Sequence, residues 1–256
     1  MNNLYGKNLA WVYDEIYQGF IDYKAEYDFY KTLCKTHNAI SILEIACGSG
    51  NLSESFTNDF LNYTGLDYSE AMLEIAKTKF KKGNFIQGDM RKLNFTYQFS
   101  TILITGRSTS YLIEDIDIQN TFNSIHKALE PNGIFIFDCI DAAHFMPYIL
   151  KNKNIIHYSN VNNKTFERES VWERYDSTKS HLVSWKSKYY DTNKNDKILI
   201  GEDSAIFRTF TNQEIQTNLL LSNFQLLHTI DRKTYAFNTK VYVCRKITKN
   251  IPIQGA

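Results

Sequence analysis

The stretch Ile42-Leu43-Glu44-Ile45-Ala46-Cys47-Gly48-Ser49-Gly50-Asn51 constrains the fold more than any other. It reads as a buried parallel strand from Ser41 to Ala46, a tight glycine turn, and a helix running from Asn51 to about Phe60. A unit of this kind turns backbone N–H groups toward the carboxyl edge of an open α/β sheet, where such sheets bind ligands. Gly48 and Gly50 carry no Cβ, so a ligand can approach the backbone there without a clash. Asp67 closes the next apolar run, Tyr63 to Asp67, and is placed to hold two ribose hydroxyls. Together these features imply a nucleoside-containing cofactor. The dinucleotide fingerprint needs a third glycine three residues after the second. Ser53 stands there instead, which weighs against NAD.

Regular strand–helix alternation follows, the pattern of a parallel sheet. Ser69 caps a helix to about Phe80, a short strand (Phe85 to Gln87) delivers Asp89, and Phe99 to Ile104 forms a fourth strand. A helix from about Asp117 to Leu129 leads into a Pro131-Asn132-Gly133 turn and a fifth strand, Ile134 to Phe137. Right-handed crossovers bring Gly48, Asp67, Asp89, Thr105 and Asp138 to one edge. Residues 8 to 36 read as helical, with apolar positions at Trp11, Val12, Ile16, Phe20, Tyr27, Tyr30 and Leu33. From about Ile155 to Phe207 the period changes to two, and the polar turn Asp191 to Asp196 joins two of the alternating runs. Thr211 to Glu214 is a capping box opening the last helix, and Phe224 to Ile230 with Lys240 to Val243 make a closing antiparallel pair. The expected fold is α/β: a Rossmann-like, doubly wound, seven-stranded, mostly parallel sheet ending in an antiparallel hairpin. Residues 1–39 form an N-terminal helical cap and residues 40–150 with 208–248 the core. Residues 151–207 form an antiparallel insert that roofs this edge of the sheet as a lid, and 249–256 a loose tail.

Bulk properties exclude some partners. A formal charge of +1 over 256 residues gives no field to attract nucleic acid, and no basic stripe is present. No apolar run reaches the ~18 residues of a membrane span. Cys34, Cys47, Cys139 and Cys244 are scattered, with neither a CxxC pair nor metal-ligand spacing, so no metal is expected and a reducing cytoplasm is.

The glycine stretch resembles motif I of the class I S-adenosylmethionine-dependent methyltransferases, and three more segments continue the resemblance. Gly65-Leu66-Asp67-Tyr68-Ser69-Glu70-Ala71-Met72-Leu73 is similar to the second motif, and Gly88-Asp89-Met90-Arg91 to the loop that contacts adenine. Leu129-Glu130-Pro131-Asn132-Gly133 resembles the turn before strand five. The four lie in family order over roughly residues 40 to 140. Tyr13, Tyr17 and Tyr23 resemble the N-terminal tyrosines with which small-molecule members close over the cofactor. The resemblance implies S-adenosylmethionine as cofactor and S-adenosylhomocysteine as product. It implies cofactor contacts at Tyr13, Tyr23, Glu44, Ala46, Gly48, Gly50, Asn51, Asp67, Tyr68, Met72, Asp89, Met90, Thr105 and Gly106. Asp67 takes the ribose, Asp89 the adenine amino group, and Tyr68 and Met72 pack on the ring.

The branch most resembled methylates amino sugars on nucleotide carriers; a narrower resemblance is to capsule-modifying enzymes that build a methylated phosphoramidate. A neutral, small-molecule-sized enzyme acting as monomer or homodimer is implied. In Thr105-Gly106-Arg107-Ser108-Thr109-Ser110-Tyr111-Leu112 the chain departs from the family, which places Asp, Asn or Ser where Arg107 stands. A guanidinium suits a phosphate or carboxylate, so Arg107 predicts an anionic acceptor; otherwise it faces solvent or pairs with Glu114 or Asp115. Catalytic roles fall to Arg107, to His144 as the best-placed general base, and to Tyr17; acceptor contacts fall to Arg107, Ser108, Tyr111, His144 and Arg208. The competing readings are a non-catalytic S-adenosylmethionine-binding protein and a nucleotide-dependent oxidoreductase.

Overall fold

The computed structural model describes residues 4–176, 181–193 and 197–248. The chain opens with α1 (Ala10–Tyr17) and α2 (Tyr23–Thr36), then β1 (Ser41–Ile45), α3 (Ser53–Asp59), β2 (Asn62–Asp67), α4 (Glu70–Lys79) and β3 (Phe85–Gln87). β4 (Phe99–Ile104), α5 (Asp115–Ala128), β5 (Leu129–Ile140) and α6 (Ala142–Lys151) follow. Four strands come next, β6 (Asn154–Val161), β7 (Lys164–Arg174), β8 (Leu182–Asp191) and β9 (Ile198–Arg208), before α7 (Asn212–Leu221), β10 (Phe224–Arg232) and β11 (Thr239–Lys246).

The main sheet has seven strands in the order β10-β11-β5-β4-β1-β2-β3. β1 pairs in parallel with β2 and β4, so the winding direction reverses between β1 and β4. That is the switch point at which an open α/β sheet leaves a crevice. One face packs Leu43, Ile102, Phe135 and Phe137 against Ile118, Phe122 and Ile125 of α5. The other packs Ile42, Leu103, Ile136 and Val243 against Tyr30 of α2 and Phe56 of α3. With both faces covered, β1 is buried at all five positions and reads as a continuous apolar run around Glu44. Antiparallel β11 pairs Thr239 with Ile140, which hangs the β10–β11 turn over the carboxyl end of β5.

Three expectations about elements need correction. The single N-terminal helix is two: the chain bends at Gly19, whose added Cβ would lie 2.1 Å from Ser159 Oγ, and restarts where Asp22 accepts from Ala25 N at 2.9 Å. The Pro131-Asn132-Gly133 turn lies inside a twelve-residue β5. Asn132 adopts φ +61° there, and the β4–β5 register jumps from Phe99↔Leu129 to Thr101↔Ile134, so the extra residues bulge out of one strand. Helix α5 starts at Asp115, two residues earlier than its spacing predicted.

The expected insert is a separate four-stranded antiparallel sheet, β6-β7-β8-β9. Its inner face (Phe166, Trp172, Val183, Trp185, Phe207) packs on Leu9, Val12 and Ile16 of the N-terminal segment and on Phe145 and Ile149 of α6. At about 1.5–3 kcal/mol per large apolar side chain buried, this second core fastens the insert to the first. Of the polar turn after β8, Asn193 N donates to Asp191 Oδ1 at 2.8 Å; residues 194–196, like the tail 249–256, lie outside the described residues. Among the described residues no helix is long and apolar enough to cross a membrane.

Candidate active site

A cavity of about 370 Å³ opens at the switch point, within the ~300–1,000 Å³ range of ligand clefts. Its floor is the turn after β1, with Glu44, Ala46, Gly48 and Asn51 among the lining residues. Gly48 sits at φ +57°, with Met72 Cε 3.4 Å from where a Cβ would be. Gly106, at φ +67°, has nothing within 4 Å of that position, so its backbone faces open space. Asp67 Oδ2 accepts from Gly48 N and Oδ1 from Ser69 N, each at 2.8 Å. These bonds fix the plane of the carboxylate and leave a lone pair on each oxygen for a diol. Burial raises the Asp67 carboxyl, and the N–H groups of Ser69 and Gly48 oppose that rise.

Asp89 lines the far end and is gripped by Arg91, whose Nη2 lies 2.8 Å from Oδ2; Arg91 is the first cause holding this carboxyl below its usual range. Met72 is buried beside the glycine turn, while Tyr68 and Met90 also line the cavity. Glu44 accepts from the Tyr63 hydroxyl, and burial pushes its carboxyl up to about 7 against that bond. Burial also raises the Cys47 thiol well above its ordinary value, which makes it inert rather than nucleophilic.

Helix α1 is tied onto the glycine turn. Asp14 Oδ1 accepts from Ser49 Oγ at 2.6 Å and from Lys79 Nζ at 2.7 Å, and the same ammonium donates to Asn51 Oδ1 at 2.6 Å. The tie brings Tyr5, Tyr13 and Tyr23 over the cavity. Tyr5 and Tyr111 share a hydroxyl hydrogen bond of 2.8 Å, which joins this cover to the loop after β4.

That loop carries Arg107 at φ +66°, with its backbone N donating to Asp138 Oδ1 at 2.7 Å. The guanidinium turns inward. It donates to Thr234 Oγ1 at 3.3 Å and to the Tyr235 hydroxyl at 3.4 Å, and it stacks 5.1 Å from the Tyr235 ring and 5.2 Å from the Phe237 ring. Asp115 does not hold it, since that carboxylate pairs with Arg208. Burial pushes the Asp138 carboxyl up to about 6 against the pull of Arg107. Ser108, Thr105 and Tyr111 line the same end.

Four expected site residues lie elsewhere. Gly50 is not in the lining; its φ of +79° and 3.1 Å contacts from an added Cβ to Ala76 and Phe80 make it the point where α4 crosses the turn. Tyr17 is buried behind Tyr13, stacked on it at 4.3 Å, and its hydroxyl accepts from Arg168 Nη1 at 2.7 Å. His144 stands on the first turn of α6, its side chain 51% exposed and its Nδ1 bonded to the Asp141 carboxylate, outside the cavity. Arg208 is buried under α5 and α7, donating to Ile113 O at 3.1 Å and pairing with Asp115 and Glu214. The insert, expected as a lid, supplies no lining side chain among the described residues and instead backs the site through Arg168 and Phe207. Sequence reasoning missed Tyr5, Thr234 and Tyr235, all in the lining. Nothing in the Lys233 to Asn238 turn marks it as functional before β11 is seen to aim it at β5.

A family model described as a methyltransferase domain matches residues 42–133. The dTDP-3-amino-3,4,6-trideoxy-alpha-D-glucopyranose N,N-dimethyltransferase of Streptomyces venezuelae is 33% identical over 138 residues, covering 53% of this chain and 58% of that one. The chain spans about half the length of the curated relatives it matches. Among solved structures, Streptomyces venezuelae DesVI superposes with a TM-score of 0.79 at 22% identity, covering 91% of this chain and 97% of that one. The S-adenosylmethionine-bound CalS10, an amino pentose methyltransferase from Micromonospora echinaspora, gives 0.76 at 15% identity, with 92% and 97% covered. At such identities the structural likeness carries the fold. The glycine turn, Asp67, Asp89 and the Arg107 loop all fall inside residues 42–133, the part of this chain that matches the methyltransferase domain model.

Proposed function

We propose that the protein transfers a methyl group from S-adenosylmethionine to an oxygen or nitrogen of a small anionic acceptor, foremost an amino sugar on a nucleotide carrier. One observation carries this reading. A single cavity has a nucleoside cradle (Gly48, Asp67) at one end and, at the other, a half-buried guanidinium whose side-chain hydrogen bonds go to the neutral hydroxyls of Thr234 and Tyr235. The residues fit the cofactor. Asp67 takes the ribose hydroxyls, Asp89 and the Met90 backbone take the adenine edge, and Tyr68 and Met72 flank the ring. Tyr13, Tyr23 and the Gly48–Asn51 turn hold the methionine part. The cofactor supplies an electrophilic methyl on a sulfonium, and the chain's contribution is to align the acceptor and exclude water.

Arg107 supports an anionic acceptor, because a half-buried guanidinium gains most from a bidentate phosphate or carboxylate. The relative from Streptomyces venezuelae acts, by its name, on a dTDP-linked amino sugar, which supplies such a group. Calorimetric titration with S-adenosylhomocysteine and with NAD comes first, followed by turnover against dTDP-amino sugars, other phosphorylated sugars and cytidine-linked phosphoramidates as capsule precursors. Binding of S-adenosylhomocysteine without NAD is expected, with turnover on an anionic member. Binding of NAD alone, or of neither ligand, overturns the reading.

A further inference from the structure

Behind the acceptor end lies a second, buried arginine that no motif announced. Arg168, on β7, donates Nη1 to the Tyr17 hydroxyl at 2.7 Å and Nη2 to His157 Nδ1 at 3.0 Å. Arginine only donates, so Nδ1 of His157 is the accepting nitrogen and the ring is neutral. Burial, then Arg168, pushes this histidine down to about 4, which keeps it neutral at any ordinary pH. His157 is therefore no base.

Between Arg107 and Arg168 lies Tyr235. Its ring is 5.1 Å from one guanidinium carbon and 5.7 Å from the other, Phe20 stacks on it at 5.8 Å, and its hydroxyl oxygen accepts from Arg107 Nη2 at 3.4 Å. Its titratable and charged neighbours are Arg107 from the loop after β4, Arg168 and His157 from the insert, and Tyr13, Tyr17 and Tyr23 from the N-terminal helices. Two of these are permanent cations, and Arg107 is in turn faced by the Asp138 carboxyl, which lines the same cavity. Tyr235 also lines the cavity, whereas Tyr17, Arg168 and His157 do not.

We propose that Tyr235 is the proton acceptor of the methyl transfer, a phenolate held between Arg107 and Arg168 at the acceptor end of the cavity. The inference rests on the methyl-transfer reading above. Burial pushes the hydroxyl up, but the guanidinia of Arg107 and then Arg168 outweigh it and hold Tyr235 below an ordinary tyrosine. In the step, a lone pair on the acceptor oxygen or nitrogen forms the bond to the methyl carbon. The carbon–sulfur bond breaks and its pair stays on sulfur, as the thioether of S-adenosylhomocysteine. The proton on the acceptor atom moves to Tyr235 Oη and leaves to solvent when the product departs. An anion that docks on Arg107 draws that guanidinium's field away from the phenolate. Tyr235 thus becomes more basic when the acceptor is in place.

The test compares the ligand-free protein with Tyr235→Phe by tyrosinate absorbance through a pH titration; the difference isolates one phenol among 17 tyrosines. The expected difference rises below the ~10 of an ordinary tyrosine and moves upward when dTDP is added as probe anion. S-adenosylhomocysteine binding, by calorimetry, is expected to stay within about twofold in the variant, which reports an intact fold. With a dTDP-amino sugar as acceptor, kcat is expected to fall roughly 10²-fold or more, and the acid limb of the kcat–pH profile to vanish. A difference that titrates at about 10 or above, with S-adenosylhomocysteine still bound, overturns the role of Tyr235 alone. Failure of the wild type to bind S-adenosylhomocysteine overturns the parent reading and this one with it.

Discussion

Glu44 is a carboxyl inside a strand whose other positions are apolar or a small hydroxyl, and its cost depends on pH. Burial raises it from the usual value of 4.5 to about 7, so the folded chain binds a proton more tightly than the unfolded one. Stability from this group is then fully present below about pH 4.5 and is lost as pH rises through about 7. Glu44→Gln, which keeps an acceptor for the Tyr63 hydroxyl, is expected to melt with wild type in acid and to be more stable well above pH 7, by up to about 3 kcal/mol. Parallel curves from denaturant titrations across that range would reject the assignment. At Arg107 the expected effect is on binding. Arg107→Ala should raise the acceptor KM by roughly 10- to 100-fold, the worth of a charge-assisted hydrogen bond, with cofactor affinity unchanged; identical steady-state kinetics would mean that the guanidinium never meets the acceptor.

At the scale of elements, Arg208 illustrates how a side chain read as functional proves architectural. Its place in the sequence, just before α7, pointed to the cavity, yet β9 turns it under α5. There its side chain is 7% exposed and it satisfies the Ile113 carbonyl. Replacing it by Met leaves that carbonyl and Glu214 without their partner. We expect a loss of about 1–3 kcal/mol in a thermal melt, with S-adenosylhomocysteine affinity kept; a drop in affinity without a drop in melting temperature would return Arg208 to the site. The parallel strands were legible because apolar runs bounded by glycine and polar turns have few alternatives. β5 was less so, because a Pro-Asn-Gly segment carries the local signal of a turn even where the strand bulges through it. The break between α1 and α2 was hidden for another reason: Gly19 is required by Ser159, 140 positions away in sequence.

For the molecule as a whole, the nucleoside end of the cavity was legible, whereas at the opposite end only Arg107, Ser108 and Tyr111 were. The former is built within the matched residues 42–133, where local chemistry dictates each position: glycine for left-handed backbone, acids at strand ends. The latter is assembled from α1, β6, β7, the loop after β4 and the β10–β11 turn, and no local pattern says that Arg107, Arg168 and Tyr235 meet. His144 was favoured for its nearness to strand five, and the first turn of α6 carries it away. This division also orders events during synthesis. The nucleoside cradle is complete once the chain has passed Tyr111, whereas the cage around Arg107 waits for Phe237, about ten seconds later at ~5–20 residues per second. On the proposed reading, a nascent chain has the parts to hold a methyl donor well before it owns the residues that would let it spend the methyl group.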